Sequence, residues 1–310
     1  MARERDVQGQ MAPARNAPPA TPGPRRRRWG RAGRGPGAPH RVALLLVMAG
    51  ALLLAGCAGH RPAPGQAATA GRPGNEDALS GRLLVSAAAS LQDALQEAAA
   101  RFTARHPGVA VDFNFGSSGA LARQIEAGAP ADLFIAAGPQ PVGDLVARGL
   151  VDRADVRTLC RNRLVLVVPA DGPSPVGGWA DLDAAAVRRV AVGDPAHVPA
   201  GQYGRQVLRH LGLWEAVRPK LVLESDVRAV LRHVAAGAVE AGIVYRTDAL
   251  SSPAVRVVAE APPGSHDPIV YPLVVLKTTP HRQAADALAA FLTGPEGQEV
   301  LARHGFLPGN

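Results

Sequence analysis

From residue 82 onward, short apolar runs alternate with longer segments whose apolar positions recur every three or four residues. Runs at 83–87, 109–115, 133–137, 164–169, 190–192, 220–223, 242–245, 255–259 and 269–277 are bounded by Gly, Pro, Ser, Asn or charged residues. Their length and their content of β-branched and aromatic side chains predict strands. Segments 91–105, 120–127, 141–149, 204–211, 227–236 and 282–293 carry the helical spacing and predict amphipathic helices. Strands alternating with helices of about ten residues imply an α/β fold of βαβ units with mainly parallel sheets. About nine strands would strain one open sheet, so two sheets are expected.

The N-terminal quarter has another pattern. An arginine-rich start leads into an apolar run from Val42 to Ala55, closing on Leu54-Ala55-Gly56-Cys57. A charged lead, a short apolar core and small residues before a cut describe a secretory signal too short to span a membrane stably. The closing four residues resemble a bacterial lipobox, which implies that residues 1–56 are removed and that Cys57 is acylated. Residues 57–80, rich in Gly, Pro, Ala and Gln, cannot bury enough apolar surface to offset their ordering entropy and read as a flexible linker. The expected location is therefore outside the cytoplasm, on the periplasmic or extracellular side, with a lipid holding the chain to the membrane.

This division changes the meaning of the charge. The chain carries 34 Lys and Arg against 26 Asp and Glu, a formal net charge of +8. Ten arginines and only two acids, Glu4 and Asp6, precede Cys57, so the chain from Cys57 onward holds 24 of each sign. The run Arg25 to Arg28 thus belongs to the leader, and no nucleic-acid partner is expected. With Cys57 lipidated, Cys160 has no disulfide partner and reads as a small buried hydrophobe.

Four strand-to-helix turns share a chemistry. They are Ala88-Ala89-Ser90, Gly116-Ser117-Ser118-Gly119, the stretch from Gly193 to Gly201, and Glu224-Ser225-Asp226-Val227. Small and hydroxyl side chains there leave backbone N–H groups uncovered at helix starts, where unsatisfied donors and partial positive charge favour anions. In open α/β sheets such turns face the crevice at the carboxyl ends of the strands. Each taken alone is equally accounted for by helix capping, with Ser90, Ser118 and Asp226 as N-cap residues.

The motif Ala87-Ala88-Ala89-Ser90-Leu91, the block 117–134 (Ser-Ser-Gly-Ala-Leu-Ala-Arg-Gln-Ile-Glu-Ala-Gly-Ala-Pro-Ala-Asp-Leu-Phe), and Val192 to Tyr203 with Gly193-Asp194-Pro195-Ala196-His197-Val198-Pro199-Ala200-Gly201 decide between these readings. Together with Asp226-Val227-Arg228 and Gly242-Ile243-Val244-Tyr245, they resemble the periplasmic molybdate-binding proteins of ABC importers, the ModA family. The likeness runs over about residues 82–308. It implies a two-lobe, periplasmic-binding-protein-like fold of type II, with residues 81–163 and 265–310 in lobe 1, 164–264 in lobe 2, and the ligand in the cleft. It also implies that Ser90 and Ser118 give hydroxyl and amide donors, Ala200 and Val227 backbone N–H groups, and Tyr245 its phenol, to one molybdate or tungstate. The resemblance implies no cofactor, no direct metal ligand and no catalytic residue. It implies a monomer that hands its ligand to an ABC permease and its ATPase. Gly119 stands where related chains often have another hydroxyl, which is expected to loosen that turn.

A donor-only site suits a fully ionised tetrahedral dianion, whereas phosphate near neutral pH keeps a proton that needs an acceptor; Asp226 is the nearby candidate for one. Another tetrahedral oxyanion, tungstate alone, sulfate or phosphate, is the alternative ligand. A serine hydrolase is a remote reading, because Gly116-Ser117-Ser118-Gly119 misses the nucleophile-elbow spacing and His197, His210 and His233 fall on different units. A ferric site would need several tyrosines, and Tyr203, Tyr245 and Tyr271 lie on separate segments.

Overall fold

A computed structural model describes residues 79–309. The leader, the lipobox with Cys57 and nearly all of the expected linker lie outside the described residues. In chain order the elements are β1 (Gly81–Ala88), α1 (Gln92–Arg105), β2 (Val109–Gly116), α2 (Ser118–Glu126), β3 (Leu133–Ile135), α3 (Pro139–Ala147), β4 (Arg157–Arg161) and β5 (Leu164–Pro169). Next come β6 (Val190–Gly193), α4 (Pro199–His210), α5 (Trp214–Val217), β7 (Leu221–Glu224), α6 (Val227–Ala235), β8 (Ala241–Tyr245) and α7 (Arg246–Leu250). The chain closes with β9 (Val255–Glu260), β10 (Val270–Val275), α8 (Arg282–Thr293), α9 (Pro295–Arg303) and β11 (Leu307–Pro308).

Two sheets form, in the orders β11-β4-β10-β3-β1-β2 and β7-β6-β8-β5-β9. The chain passes from the first to the second between Arg161 and Leu164 and returns between Glu260 and Val270. Both sheets are mixed. The βαβ units pair in parallel, β1 with β2 and β3, and β6 with β7 and β8. The strands that carry the chain between sheets, β4, β5, β9 and β10, pair antiparallel with their neighbours. β10 thus runs between β3 and β4, and β5 between β8 and β9, each opposite in direction to both neighbours.

Alternation explains most of the core. β5 is buried from Leu164 to Val168 because it is central in its sheet and covered on both faces, as its unbroken apolar run requires. The half-buried β2 sits at an edge and accordingly mixes Asp112 and Asn114 among its apolar residues. Cys160 is fully buried, and desolvation pushes its thiol pKa well above the ordinary value, so it packs as a hydrophobe. Among the described residues no helix is long and apolar enough to cross a membrane.

Two differences from the sequence reading bear on the site. Helix α4 begins five residues earlier than its hydrophobic pattern suggests, at Pro199, where proline's fixed φ and missing N–H suit the first helical position. Strand β4 was absent from the apolar pattern because Arg157-Thr158-Leu159-Cys160-Arg161 is polar at both ends; only pairing to β10 and β11 makes it a strand.

Candidate functional site

Ser90, Ser118, Ala200, Val227 and Tyr245 line one small cavity between the two sheets. The first two come from the ends of β1 and β2, the other three from the second sheet's units. Ser90 sits in a short helical turn, Ala89–Leu91, that runs into α1; Ser118 is the first residue of α2, Ala200 the second of α4, and Val227 the first of α6. Tyr245 ends β8 and precedes α7. The first four N–H groups of a helix have no intrahelical partner, so several open helix starts face one point.

The local sequence makes these starts possible. Gly201 brings α4 so close to the end of β6 that a Cβ would lie 1.7 Å from the Gly193 carbonyl oxygen; any larger residue would displace the turn that carries Ala200. Asp226 caps α6, its carboxylate accepting the Ala229 N–H at 2.9 Å, which leaves the Val227 N–H uncommitted. The cap of α2 is Ser117, whose Oγ accepts the Ala120 N–H. Ser118, expected to be capping-competent, is one residue inside the helix and turns its hydroxyl to other work.

That work is directional. Ser118 Oγ accepts the Ala137 N–H at 2.9 Å, so its own proton is free for the cavity. Ser90 Oγ lies 2.9 Å from the Tyr271 phenol oxygen. Tyr245 donates a long 3.4 Å bond to the Ala137 carbonyl, and burial pushes its pKa well above the ordinary value; the phenol stays protonated, and its one proton must leave Ala137 to serve a ligand. All five residues are at most 4% exposed. An ion held here would lose its water, so every acceptor on it needs a protein donor.

The lining contains no acidic side chain and no histidine. Its volume is about 10 Å³, roughly the space of one water and far below the ~300–1,000 Å³ of pockets for drug-sized molecules. The arrangement can therefore hold a small, desolvated anion through N–H and O–H donors. Hydrolysis has no base here: His197 pairs with Asp194 at 3.6 Å and His233 with Glu224 at 2.5 Å. Tyr245 and Tyr271 do approach, with ring centroids 5.9 Å apart, but burial raises both pKa values. Neither is poised to be the phenolate a ferric ion would want.

Besides the Tyr245–Ala137 bond, the two lobes touch at several points, two of which lie beside the lining residues. The Gly119 N–H donates to the His197 carbonyl at 3.1 Å. A Cβ on residue 119 would lie 2.5 Å from that oxygen, so the glycine permits the close approach. On another side Arg228, next to Val227, reaches Asp93 of α1 at 2.7 Å. Arg228 Nε also lies 2.9 Å from Asp248 Oδ1, and the other Asp248 oxygen accepts the Tyr245 N–H at 3.3 Å. Burial outweighs the Arg228 charge and raises the Asp248 pKa to about 7. For Arg228 burial works against the charge, yet Asp248 and Asp93 together prevail and raise its pKa. Asp93, Asn162, Ala137 and Asp248 had no signal in the sequence, and Tyr271 was weighed only as a metal ligand, because their roles arise from contacts between elements far apart along the chain.

Residues 83–307 match the model of a family described as bacterial extracellular solute-binding protein. The chain belongs to that family. This solute-binding protein is 41% identical over 240 residues to the molybdate-binding protein ModA of Escherichia coli, covering 75% of this chain and 91% of the relative. It is 44% identical over 224 residues to YvgL of Bacillus subtilis, whose name contains the words substrate-binding lipoprotein, over 72% of this chain and 85% of that one. Among solved structures, the periplasmic molybdate-binding protein of Azotobacter vinelandii superposes with a TM-score of 0.66 at 25% identity, covering 73% of this chain and 98% of the other. The sulfate-binding protein SubI of Mycobacterium tuberculosis, at 20% identity and a TM-score of 0.65, shares the fold. Solute-binding proteins of this family capture and present ligands; they are not enzymes.

Proposed function

We propose that this protein captures molybdate outside the cytoplasm and delivers it to an ABC permease and its ATPase, with tungstate as an equivalent ligand. The observation that carries the reading is the cavity of Ser90, Ser118, Ala200, Val227 and Tyr245, which presents donors and no acidic side chain. A tetrahedral oxyanion without a proton offers only acceptors, and the two sets match. Asp226, the candidate acceptor for a protonated anion, is engaged with the Ala229 N–H and stands outside the lining, which disfavours phosphate. The relatives named for molybdate support the same ligand.

Charge-assisted hydrogen bonds contribute about 1.5–3 kcal/mol each. About five to seven of them cover the roughly 8–12 kcal/mol of micromolar to nanomolar binding after ordering losses. Molybdate and tungstate are nearly equal in size and sulfate is smaller, so a closed pocket separates sulfate from the pair and scarcely separates the pair. Closure is a movement of lobe 1 (81–163 and 265–310) against lobe 2 (164–264) about the two crossings, which shuts out water and forms the surface that the permease reads. Lipid on Cys57 holds the receptor at the membrane, and it acts as a monomer.

Dialysis of the chain from residue 58 onward against molybdate, then elemental analysis, tests the reading. One molybdenum per chain is expected; a chain that returns empty contradicts it. In cells, Cys57→Ser is expected to release the protein from membranes, and retention would refute the lipid anchor.

A further inference from the structure

Tyr271 does not line the cavity, and it is fully buried, yet its hydroxyl is the inner partner of Ser90. The direction of that bond can be worked out. The Arg163 N–H donates to Asn162 Oδ1 at 2.9 Å, which fixes the side-chain amide with its nitrogen facing inward. Asn162 Nδ2 then donates to Thr247 Oγ1 at 2.9 Å and to the Tyr271 oxygen at 3.1 Å. A phenol has one proton. With its oxygen already accepting from Asn162, Tyr271 has its proton to give to Ser90 Oγ, 2.9 Å away, and we take the bond in that direction. Ser90 in turn has one proton left, and it faces the cavity.

We infer that Asn162 and Tyr271 determine which oxyanions the site accepts, by fixing the Ser90 hydroxyl as a donor that cannot turn to accept. The inference rests on Ser90 touching the oxyanion, as proposed above. Ser118 is held in the same sense by the Ala137 N–H. An oxyanion that keeps a proton, as phosphate does near neutral pH, brings a donor into a cavity where both serines are committed to donating. Neither serine can accept that donor in a desolvated site, a penalty that a fully ionised oxyanion avoids. Asn162 lies at the crossing between the two sheets and Tyr271 on β10, so these positioning residues tie the selectivity of the cleft to the hinge.

Tyr271→Phe removes the phenol oxygen and keeps the ring, which packs against Tyr245 and Phe306 with centroids 5.9 and 5.5 Å away. The Ser90 hydroxyl can then rotate and accept. In competition titrations at pH 7, molybdate binding is expected to weaken about tenfold while phosphate binding holds or tightens, so the ratio of the two affinities falls by about tenfold or more. A packing role alone would weaken every oxyanion in parallel, and a constant ratio overturns the inference, as does unchanged binding of both. Asn162→Asp supplies a second test if Tyr271→Phe does not fold. A carboxylate has no N–H to give, so the Tyr271 proton turns toward it, Ser90 donates backward, and molybdate binding is lost to a greater degree than in Tyr271→Phe. Molybdate binding by Asn162→Asp at wild-type strength overturns the relay. The wild type titrated alongside keeps the two ideas apart. Preference of the wild type for phosphate would defeat the molybdate reading, whereas a molybdate-selective wild type with an equally selective Tyr271→Phe would defeat only the relay.

Discussion

Replacing Val227 with proline removes one donor from the cavity while leaving its architecture in place. Val227 is the first residue of α6, where proline is well suited and where the N–H has no intrahelical partner to lose. The preceding residue, Asp226, has φ −158° and ψ 171°, the extended conformation that a succeeding proline demands. The cap from Asp226 to the Ala229 N–H is untouched. What disappears is the N–H proposed to bind the desolvated oxyanion, a bond that would contribute about 1.5–3 kcal/mol. At about 1.4 kcal/mol per factor of ten, the dissociation constant for molybdate should rise roughly ten- to a hundredfold. Val227→Ala is the paired control, because it keeps the N–H and loses two methyl groups, about 1–2 kcal/mol of burial. The expected pattern is a stable Val227→Pro that binds poorly and a less stable Val227→Ala that binds nearly as the wild type. Calorimetry and thermal melts of both variants read it. A Val227→Pro protein that melts like the wild type and binds molybdate within about twofold would refute the backbone-donor role.

Three further perturbations separate effects that Val227→Pro does not. Ser118→Ala removes a donor and also leaves the buried Ala137 N–H without its acceptor, so affinity should fall about tenfold or more and the melting temperature should fall with it; unchanged affinity would remove Ser118 from the site. Asp93→Asn breaks the contact with Arg228 that joins the lobes and should weaken binding about two- to fivefold through faster release, measured by stopped-flow. Tighter binding would instead mean that Asp93 acts only as a negative charge near an anion. Burial raises the Asp248 pKa from 3.8 to about 7, so the folded state keeps a proton that the unfolded chain releases. Stability from this group is therefore present below about pH 4 and declines as pH rises to about 7, by on the order of a few kcal/mol. Relative to Asp248→Asn, the wild type should lose stability across that window and level off above it, and a gap in melting temperature that does not change with pH would contradict the assignment.

The residues proposed to hold the ligand could be named from sequence because each belongs to a short local motif at a strand-to-helix turn. Two of them, Ala200 and Val227, have side chains without binding chemistry, and only the resemblance to a known family singled them out. The second tier was not legible. Tyr271 lies 181 residues after Ser90, and nothing in Val270-Tyr271-Pro272 distinguishes a proton donor from a core aromatic. Asn162 stands between Arg161 and Arg163 with no motif around it, and its role depends on the Arg163 N–H that locks its amide. The steric role of Gly119 was not legible either, because it depends on how near the His197 carbonyl comes across the cleft. Strand β4 was missed for a related reason: its polar ends carry no periodicity, and the β10 partners that make it a strand lie far downstream, at Val270 to Leu273. Local chemistry survives in the sequence, whereas direction of hydrogen bonding and closeness of approach are properties of the assembled lobes.

A cavity between two lobes that presents donors and no acidic side chain should select a proton-free tetrahedral oxyanion of one size. Calorimetric titration of the chain from residue 58 onward with molybdate, tungstate, sulfate and phosphate at pH 7 tests it most directly. Tight one-to-one binding of molybdate and tungstate, with sulfate and phosphate about a hundredfold weaker or more, is the result expected. Phosphate or sulfate binding as tightly as molybdate would contradict it.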